Sequence, residues 1–563
     1  TGRPLLGKPT SCVGRDAELA MLETQLNACI DETEPLGVVL TAPPGVGKSR
    51  LRHEFLRRIE KQKLDITILK GRGDMMSAGA PFGVLSNALR QLCSINGSEP
   101  ISDQRALLRD RILMHARVDG AARERMLLFI GELCGIPFED AGNGELQAAR
   151  QDPKIMRESI HRAFLDWLTS ECQNAPVLFV LDDLQWGDAL SVALIHEALL
   201  AARGSPLCVL ALARPEIYDT FPNLWEGQNV QRVALKGLGR KASERLIHQV
   251  LGTQVDPDVV ARIVEQSSGN ALYLEELIRA AAGGKLEDQP ETVVAMLQAR
   301  VGQFEAGPRH TLLAASIYGE SFWRGSVAAV LGMAQPTPEL DAWLLALVRL
   351  ETIEPTSASR LANEKEYRFR HALLRDASYT LLSEADRTLG HRIASQYLEQ
   401  QGESDAMLLV EHAQRGGDVE RAATLFARAA EQSFERQDLH GVLRRSERGL
   451  SCGATLGTLG QLRALQSAAY MWGEEWDRAY EVGMESLTHL EHGSPRWLRT
   501  LSYLFVIAGN LSDGEPLQKL FGLFAKVEVK NSDPAAYIQA AGFVTVIFSY
   551  VGMRQMAEPL LRT

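Results

Sequence analysis

The stretch VVLTAPPGVGKSRL, Val38 to Leu51, passes from a continuous apolar run through a proline- and glycine-rich turn into a basic helical pattern with apolar positions at Leu51, Phe55, Leu56 and Ile59. Lys48 and Ser49 directly follow the turn glycines Gly45 and Gly47. The order has a physical logic. Turn amides and a helix N-terminus together cradle an anion, the lysine neutralises β- and γ-phosphate oxygens, and the serine hydroxyl reaches magnesium. The cradle is assigned to Ala42, Pro43, Pro44, Gly45, Val46, Gly47, Lys48, Ser49 and Arg50. Ala42 stands where the pattern has glycine. Alanine costs little there if its φ stays negative, and Pro43 and Pro44 stiffen the turn ahead of the glycines. A motif this short can also be an ordinary glycine-rich turn between strand and helix, so a second motif must decide.

VLFVLDDLQWGD, Val177 to Asp188, supplies it: an apolar strand ending in two carboxylates, expected beside the phosphate loop. Desolvated carboxylates are costly without a partner for their charge. Magnesium is the expected partner, held by Ser49 and, mostly through water, by Asp182, while Asp183 polarises the water that attacks the γ-phosphate. Asp188 reads as the N-cap of the next helix. The following strand, LCVLALARPE, places Arg214 at its C-terminal end, on the edge where open α/β sheets bind ligands. Arg214 there reads the γ-phosphate or stabilises charge in transfer; a surface salt bridge with Glu216 is the other reading. Arg72 and Arg50 rank below Arg214 for this role.

At 563 residues the chain exceeds one core, and three or four domains are expected. A net charge of -11 argues against non-specific nucleic-acid binding, which needs a basic surface. The 7 cysteines are scattered without a CxxC pair, which fits a reducing cytosol and no zinc site. No apolar run is long enough for a bilayer span, so no membrane partner is expected. The sequence opens on Thr1 and stops at Thr563 inside a helical pattern, and is read as a fragment.

Strands are predicted at Gly37–Thr41, Asp65–Lys70, Val177–Asp182, Leu207–Leu212 and Gln231–Leu235, alternating with helices as in a parallel sheet. The resulting division is an α/β ATPase core over 1–236, with a helical insertion of no assignable function at about 81–171. A lid of three short helices and a linker, AAGGKLEDQP at Ala281–Pro290, follow over 237–290. A winged-helix-like segment covers 291–400, with an extended piece at Glu366–His371. An all-α solenoid occupies 401–563. Its second helices are expected to begin near Asp438, Trp476 and Gly514, a period of about 38 residues, close to helical-hairpin repeats. ERAATLFARAAEQ and DRAYEVGMESL each carry a small residue after an acidic-basic pair, where paired helices approach closely.

With these motifs the chain resembles, over nearly its whole length, the signal transduction ATPases with numerous domains (STAND), a branch of the AAA+ superfamily of P-loop ATPases. CVGRDAELAMLETQL, Cys12 to Leu26, is similar to the family's opening motif, which implies that Val13, Gly14 and Arg15 lie near adenine. SSGNALYLEELIRA, Ser267 to Ala280, resembles the lid motif that packs on the nucleotide, here with Gly269 and Asn270, and with Ala271 where the family usually has proline. YRFRHALLRDASYTLL, Tyr367 to Leu382, resembles the winged-helix segment. The resemblance carries to His371 a contact with the β-phosphate of ADP; a satisfied histidine at a helix start is the alternative.

The resemblance implies a cytoplasmic switch that binds ATP or ADP with Mg2+, hydrolyses slowly, and self-associates according to nucleotide state. Its tetratricopeptide-like repeats would sense a protein or small-molecule inducer. The opening GRPLLGKPTSCVGRDAEL is also similar to the region downstream of a serine/threonine kinase domain in large bacterial regulators. Two alternatives stay open: a DNA-binding initiator-type ATPase, opposed by the acidic charge but favoured by Arg368, Arg370, Arg375 and Arg387, and a nucleotide-bound scaffold without turnover.

Overall fold

The computed structural model describes residues 4–552 apart from 77, 287–289, 291, 357–358, 437, 512–513 and 528–532. The middle of the expected linker thus lies outside the described residues. The chain divides into two compact units, Thr1–Leu146 with Glu158–Glu403, and Gln147–Arg157 with Ser404–Thr563.

In the first unit, five strands form one parallel sheet: β1 (Leu36–Thr41), β2 (Thr67–Arg72), β3 (Val177–Asp182), β4 (Leu207–Ala213) and β5 (Val230–Ala234), in the spatial order β2-β3-β4-β1-β5. The three inner strands are buried at every position, as a sheet covered on both faces requires, and this is why they read as unbroken apolar runs. Edge strand β5 has no fully buried residue, three of its five positions being exposed and two half-buried. One expectation is corrected. β3 is not beside the phosphate-loop strand, because β4 pairs with both and lies between them. Leu19, Leu22 and Leu26 from the helix Asp16–Glu32 and Leu51, Phe55 and Ile59 from the helix Lys48–Gln62 fill one face of this core.

The insertion between β2 and β3 is five helices: Gly83–Leu92, Ile101–Leu113, Gly120–Cys134, Gly144–Gln151 and Pro153–Asn174. Asp188 caps the helix Ala189–Ala201 through the Ser191 amide, as read from sequence, and also accepts from the Phe82 and Val84 amides, pinning the insertion's first helix to the sheet. Buried Glu171 receives both Arg111 guanidinium ends at 2.6 and 2.8 Å, joining the second insertion helix to the last.

Three helices, Arg240–Leu251, Pro257–Ser267 and Ala271–Ala282, lie where a lid is expected and pack around Ile247, Ile263, Leu274 and Leu277. Next comes a helix–sheet unit whose three antiparallel strands are β6 (Ser321–Trp323), β7 (Ile353–Pro355) and β8 (Glu366–Phe369), with β8 in the middle. Phe322 stacks on Tyr367 and meets Phe369 edge-on, giving this small sheet its own aromatic centre.

The second unit is helical. Helices Leu439–Ser451, Trp476–His489 and Gly514–Phe524 begin within one residue of the periodic positions expected from sequence. Ala422 and Ala479, the small residues of the two repeat motifs, are fully buried. A Cβ on Gly483 would stand 2.6 Å from the Ser467 Oγ, so glycine sets the separation of the helices Leu456–Trp472 and Trp476–His489.

Candidate functional site

The phosphate loop leaves β1 at Thr41, and Gly45 and Gly47 take φ of 83° and 109°, which glycine adopts without strain. Ala42 is not among the positive-φ residues; its amide instead continues the sheet ladder, donating to the Ala213 carbonyl at 3.1 Å. Its methyl group is buried in the core beneath the loop. The glycine usual at this place is therefore not demanded by the backbone. Lys48 opens the following helix and folds its ammonium back onto the loop, donating to the carbonyls of Ala42 and, at 3.3 Å, Pro43. Burial lowers the Lys48 pKa from its ordinary 10.5, while Asp183 and Asp182 counter by favouring its charge and Arg214 adds to the lowering. Lys48, Asp182, Asp183 and Arg214 thus converge at one end of the sheet although they come from two strand ends and a helix start.

Asp182 is 4% exposed. Its carboxylate pairs with Arg52, a residue absent from the sequence reading and recoverable from its position four residues after Lys48, on the same helix face. Asp183 sits in the left-handed region at φ 50°, an uncommon conformation for a non-glycine residue and one found at functional turns. Arg72, at the end of β2, donates to its Oδ2 from Nε at 3.2 Å and Nη2 at 2.9 Å. Gln185 donates to Oδ1 at 3.3 Å while accepting from the Arg214 amide at 2.9 Å. Arginines, not a metal alone, therefore balance the two carboxylates. The same oxygen set still suits magnesium. The Ser49 hydroxyl, in the first turn of the helix Lys48–Gln62, and Asp182, at the end of β3, are hard oxygen donors, and magnesium completes its shell with phosphate oxygens and water instead of an all-protein cage.

Arg214 lays its guanidinium over the Trp186 ring, 4.7 Å from its centre; among the described residues it makes no ion pair with Glu216. Arg50, assigned to the cradle, turns its side chain away to the carbonyl and hydroxyl of Thr10.

The opening motif and the lid meet at the loop. Buried Arg15 donates to the Val46 carbonyl at 2.9 Å, Val13 packs against the lid core, and a Cβ on Gly14 would collide with the Ala242 methyl. Asn270 caps the lid helix through the Leu272 and Tyr273 amides and donates to the Pro44 carbonyl at 3.2 Å; the Leu272 amide donates to the Gly45 carbonyl at 3.0 Å. Gly269, at φ 76°, passes so close to Leu238 that only glycine fits. Ala271 occupies the first turn of the helix.

His371 begins the helix Ala372–Thr380 without capping it, and its Nε2 lies 3.8 Å from Glu275 on the lid helix. Nearby, Arg279 pairs with Glu351, Arg300 with Glu276 at 2.7 Å, and Arg370 with Glu351 at 3.3 Å. The helix–sheet unit is thus tied to the lid by charge. Arg368 pairs with Glu354, buried Arg375 donates to the Ser316 carbonyl, and Arg387 donates to the Tyr379 and Thr380 carbonyls.

Residues 11–210 match the family model described as AAA ATPase domain. An uncharacterized protein of Rhizobium meliloti (strain 1021) is 25% identical over 429 residues, 71% of this chain and 38% of that protein. The chain therefore spans well under half the length of this relative. Among solved structures, a signal transduction ATPase with numerous domains with a tetratricopeptide repeat sensor from Pyrococcus horikoshii aligns over 100% of this chain and 78% of its own, at 13% identity and a TM-score of 0.42. The Aeropyrum pernix ORC1 protein in complex with DNA aligns over 66% of this chain and 94% of its own, at 12% identity and a TM-score of 0.28. The match to the AAA ATPase domain model covers the loop, the paired carboxylates and the strands β1, β2 and β3.

Proposed function

We propose that the chain is the nucleotide-controlled part of a cytoplasmic signalling switch: it binds ATP and ADP with Mg2+, hydrolyses ATP slowly, and alternates between a closed and an open, self-associating form. In this reading the helix–sheet unit is a winged-helix domain, and the helical repeats receive a protein or small-molecule inducer. One observation carries it. The phosphate loop is clasped from two directions, by Arg15 on Val46 and by the lid on Pro44 and Gly45. A bound nucleotide would be enclosed by the same groups, and its release would require the lid to move. Lys48 and the loop amides would hold the phosphates, Ser49 and Asp182 the metal ion, and Asp183 would orient the attacking water.

The DNA-binding alternative loses ground on a specific point. The four arginines that favoured it, Arg368, Arg370, Arg375 and Arg387, are spent on internal carboxylates and carbonyls.

The test is the nucleotide carried by the purified protein, read by ion-exchange chromatography after denaturation. Near-stoichiometric ADP is expected, with none in Lys48→Ala. A protein that arrives empty and turns over added ATP rapidly would contradict the closed resting state.

A further inference from the structure

The first described residues pair as a tight hairpin, Pro4–Leu5 against Lys8–Pro9, turned by Leu6 and Gly7 at φ 51° and 73°. A two-residue hairpin favours positive φ at both turn positions, but leucine holds that conformation only where its surroundings fix it. They do so from three sides. Leu5 is 1% exposed and belongs to the lid core with Ile247, Val250 and Tyr273. Lys8 Nζ donates to the Val250 carbonyl at 2.6 Å, near the end of the first lid helix, and the Ser11 hydroxyl donates to Gln249 at 3.0 Å. Toward the helix–sheet unit, the Gly7 amide donates to Glu351 Oε1 at 3.1 Å and the Pro4 carbonyl accepts from Arg370. Glu351 is thus shared by the hairpin, by Arg279 of the lid and by Arg370. Toward the nucleotide site, Thr10 accepts from Arg50, which stands on the helix that Lys48 opens. Burial by itself would raise the Glu351 pKa, but the Arg279 bond, the Gly7 amide and the charges of Arg279 and Arg370 bring it below its ordinary 4.5. Its carboxylate therefore stays charged and keeps its donors.

We propose that residues 4–11 are a strap that locks the lid to the helix–sheet unit and to the phosphate-loop helix, and that the strap sets how slowly nucleotide leaves. The lid bonds the phosphate loop at Pro44 and Gly45, so nucleotide is released only when the lid moves. Leu5 ties the strap to that movement, because a fully buried leucine outweighs hydrogen bonds that water can replace. A lid that swings out takes Leu5 with it, and the strap must then give up Glu351, Arg370 and Arg50. Opening loses these contacts as well as the direct pairs between lid and helix–sheet unit. Detaching the strap removes part of that resistance without touching a group that faces the phosphates. This rests on the nucleotide-binding reading above and adds to it the segment that keeps the lid shut.

The experiment follows release of a fluorescent ADP analogue, chased with excess ADP in a stopped-flow instrument, from wild type, Leu5→Ser, Leu5→Met and Lys8→Met. Leu5→Ser is expected to release it roughly five- to a hundredfold faster, the usual size of coupling between distinct sites. Lys8→Met, which removes one bond and leaves the lid core filled, should release it about two- to tenfold faster. Leu5→Met, which keeps the volume, should stay within about twofold of wild type. A wild-type release rate in Leu5→Ser overturns the proposal; if that variant does not fold, Lys8→Met decides in its place. A purely structural Leu5 would loosen the lid core alone, so amide exchange is measured in parallel at residues 240–282 of the lid and at 351–355 and 366–370 of the helix–sheet unit. Faster exchange in both regions of Leu5→Ser supports the strap, and acceleration confined to the lid overturns it. If wild type binds neither ADP nor ATP, the nucleotide reading fails by itself, and the same exchange comparison decides whether the strap joins the two.

Discussion

Ala42 takes its meaning from the ladder behind it. Because its amide is spent on the Ala213 carbonyl and its φ is not positive, the position needs no glycine, and its methyl group fills space under the loop. Ala42→Gly should therefore cost about 0.5–1 kcal/mol of stability, through lost burial and added freedom in the unfolded chain, and leave ATP affinity within about twofold. Urea unfolding together with nucleotide titration checks both, and a large gain in affinity would mean that alanine distorts the cradle. Gly45 is the opposite case. Its φ of 83° and the Asn270 amide group 2.6 Å from any added Cβ leave no room for a side chain.

At the scale of elements, the lid helix is held by its first turn. Asn270 has φ -74° and ψ 115°, the extended geometry that a residue before proline prefers, and Ala271 occupies the first helical turn, where proline loses no intrahelical bond. Ala271→Pro should thus stabilise the lid by about 0.4–1 kcal/mol and slow nucleotide release; a fall in the urea midpoint would show that the Ala271 amide is needed. The insertion is held by another kind of contact. Burial by itself would raise the Glu171 pKa, but the hydrogen bonds and charge of Arg111, helped by His115, bring it below its ordinary 4.5. A depressed carboxylate contributes stability above its unfolded pKa and loses that contribution as pH falls through the folded value. Arg111→Met should cost about 3–5 kcal/mol near neutral pH, the usual penalty for orphaning a buried charge. The difference from wild type should shrink as the pH drops below 4.5. Thermal unfolding of both proteins between pH 7 and pH 3 measures it, and a gap independent of pH would remove Glu171 from the account.

These elements also show what could be read without coordinates. The five strands, the three lid helices and the starts of the repeat helices follow from local periodicity, and each was legible because one residue type recurs at one spacing. The strand order was not, because nothing within β3 or β4 states which of them lies beside β1. Nor were the partners of Asp182 and Asp183. Asp182 announces a need for positive charge, but Arg52 and Arg72 answer it from a helix face and a strand end whose meeting depends on the tertiary fold. Arg72 also pairs with Glu320, a contact that spans 248 residues and lay outside any motif.

For the whole molecule, coupling must be expressed as a difference in binding between two forms. ATP can open the protein only as far as it prefers the open form, and moving a population from 1:99 to 99:1 requires about 5.5 kcal/mol of preference. In the proposed switch, the ties that oppose opening join the lid helices to the helix–sheet unit: Arg279 with Glu351 and Arg300 with Glu276, together with His371 beside Glu275. Under the proposed mechanism Asp183→Asn removes the group assigned to orient the attacking water and leaves the cradle intact, so ATP should persist in the site and hold the open form. Sedimentation velocity with ATP and Mg2+ should then show a larger species for Asp183→Asn, the same species only transiently for wild type, and none for Lys48→Ala. With ADP all three should sediment alike. His371→Ala should move wild type toward the Asp183→Asn behaviour by weakening the closed form. If the sedimentation coefficient of Asp183→Asn is the same with ATP as with ADP while ATP is demonstrably bound, then nucleotide state does not control assembly, and the energy of the site must be directed to another output.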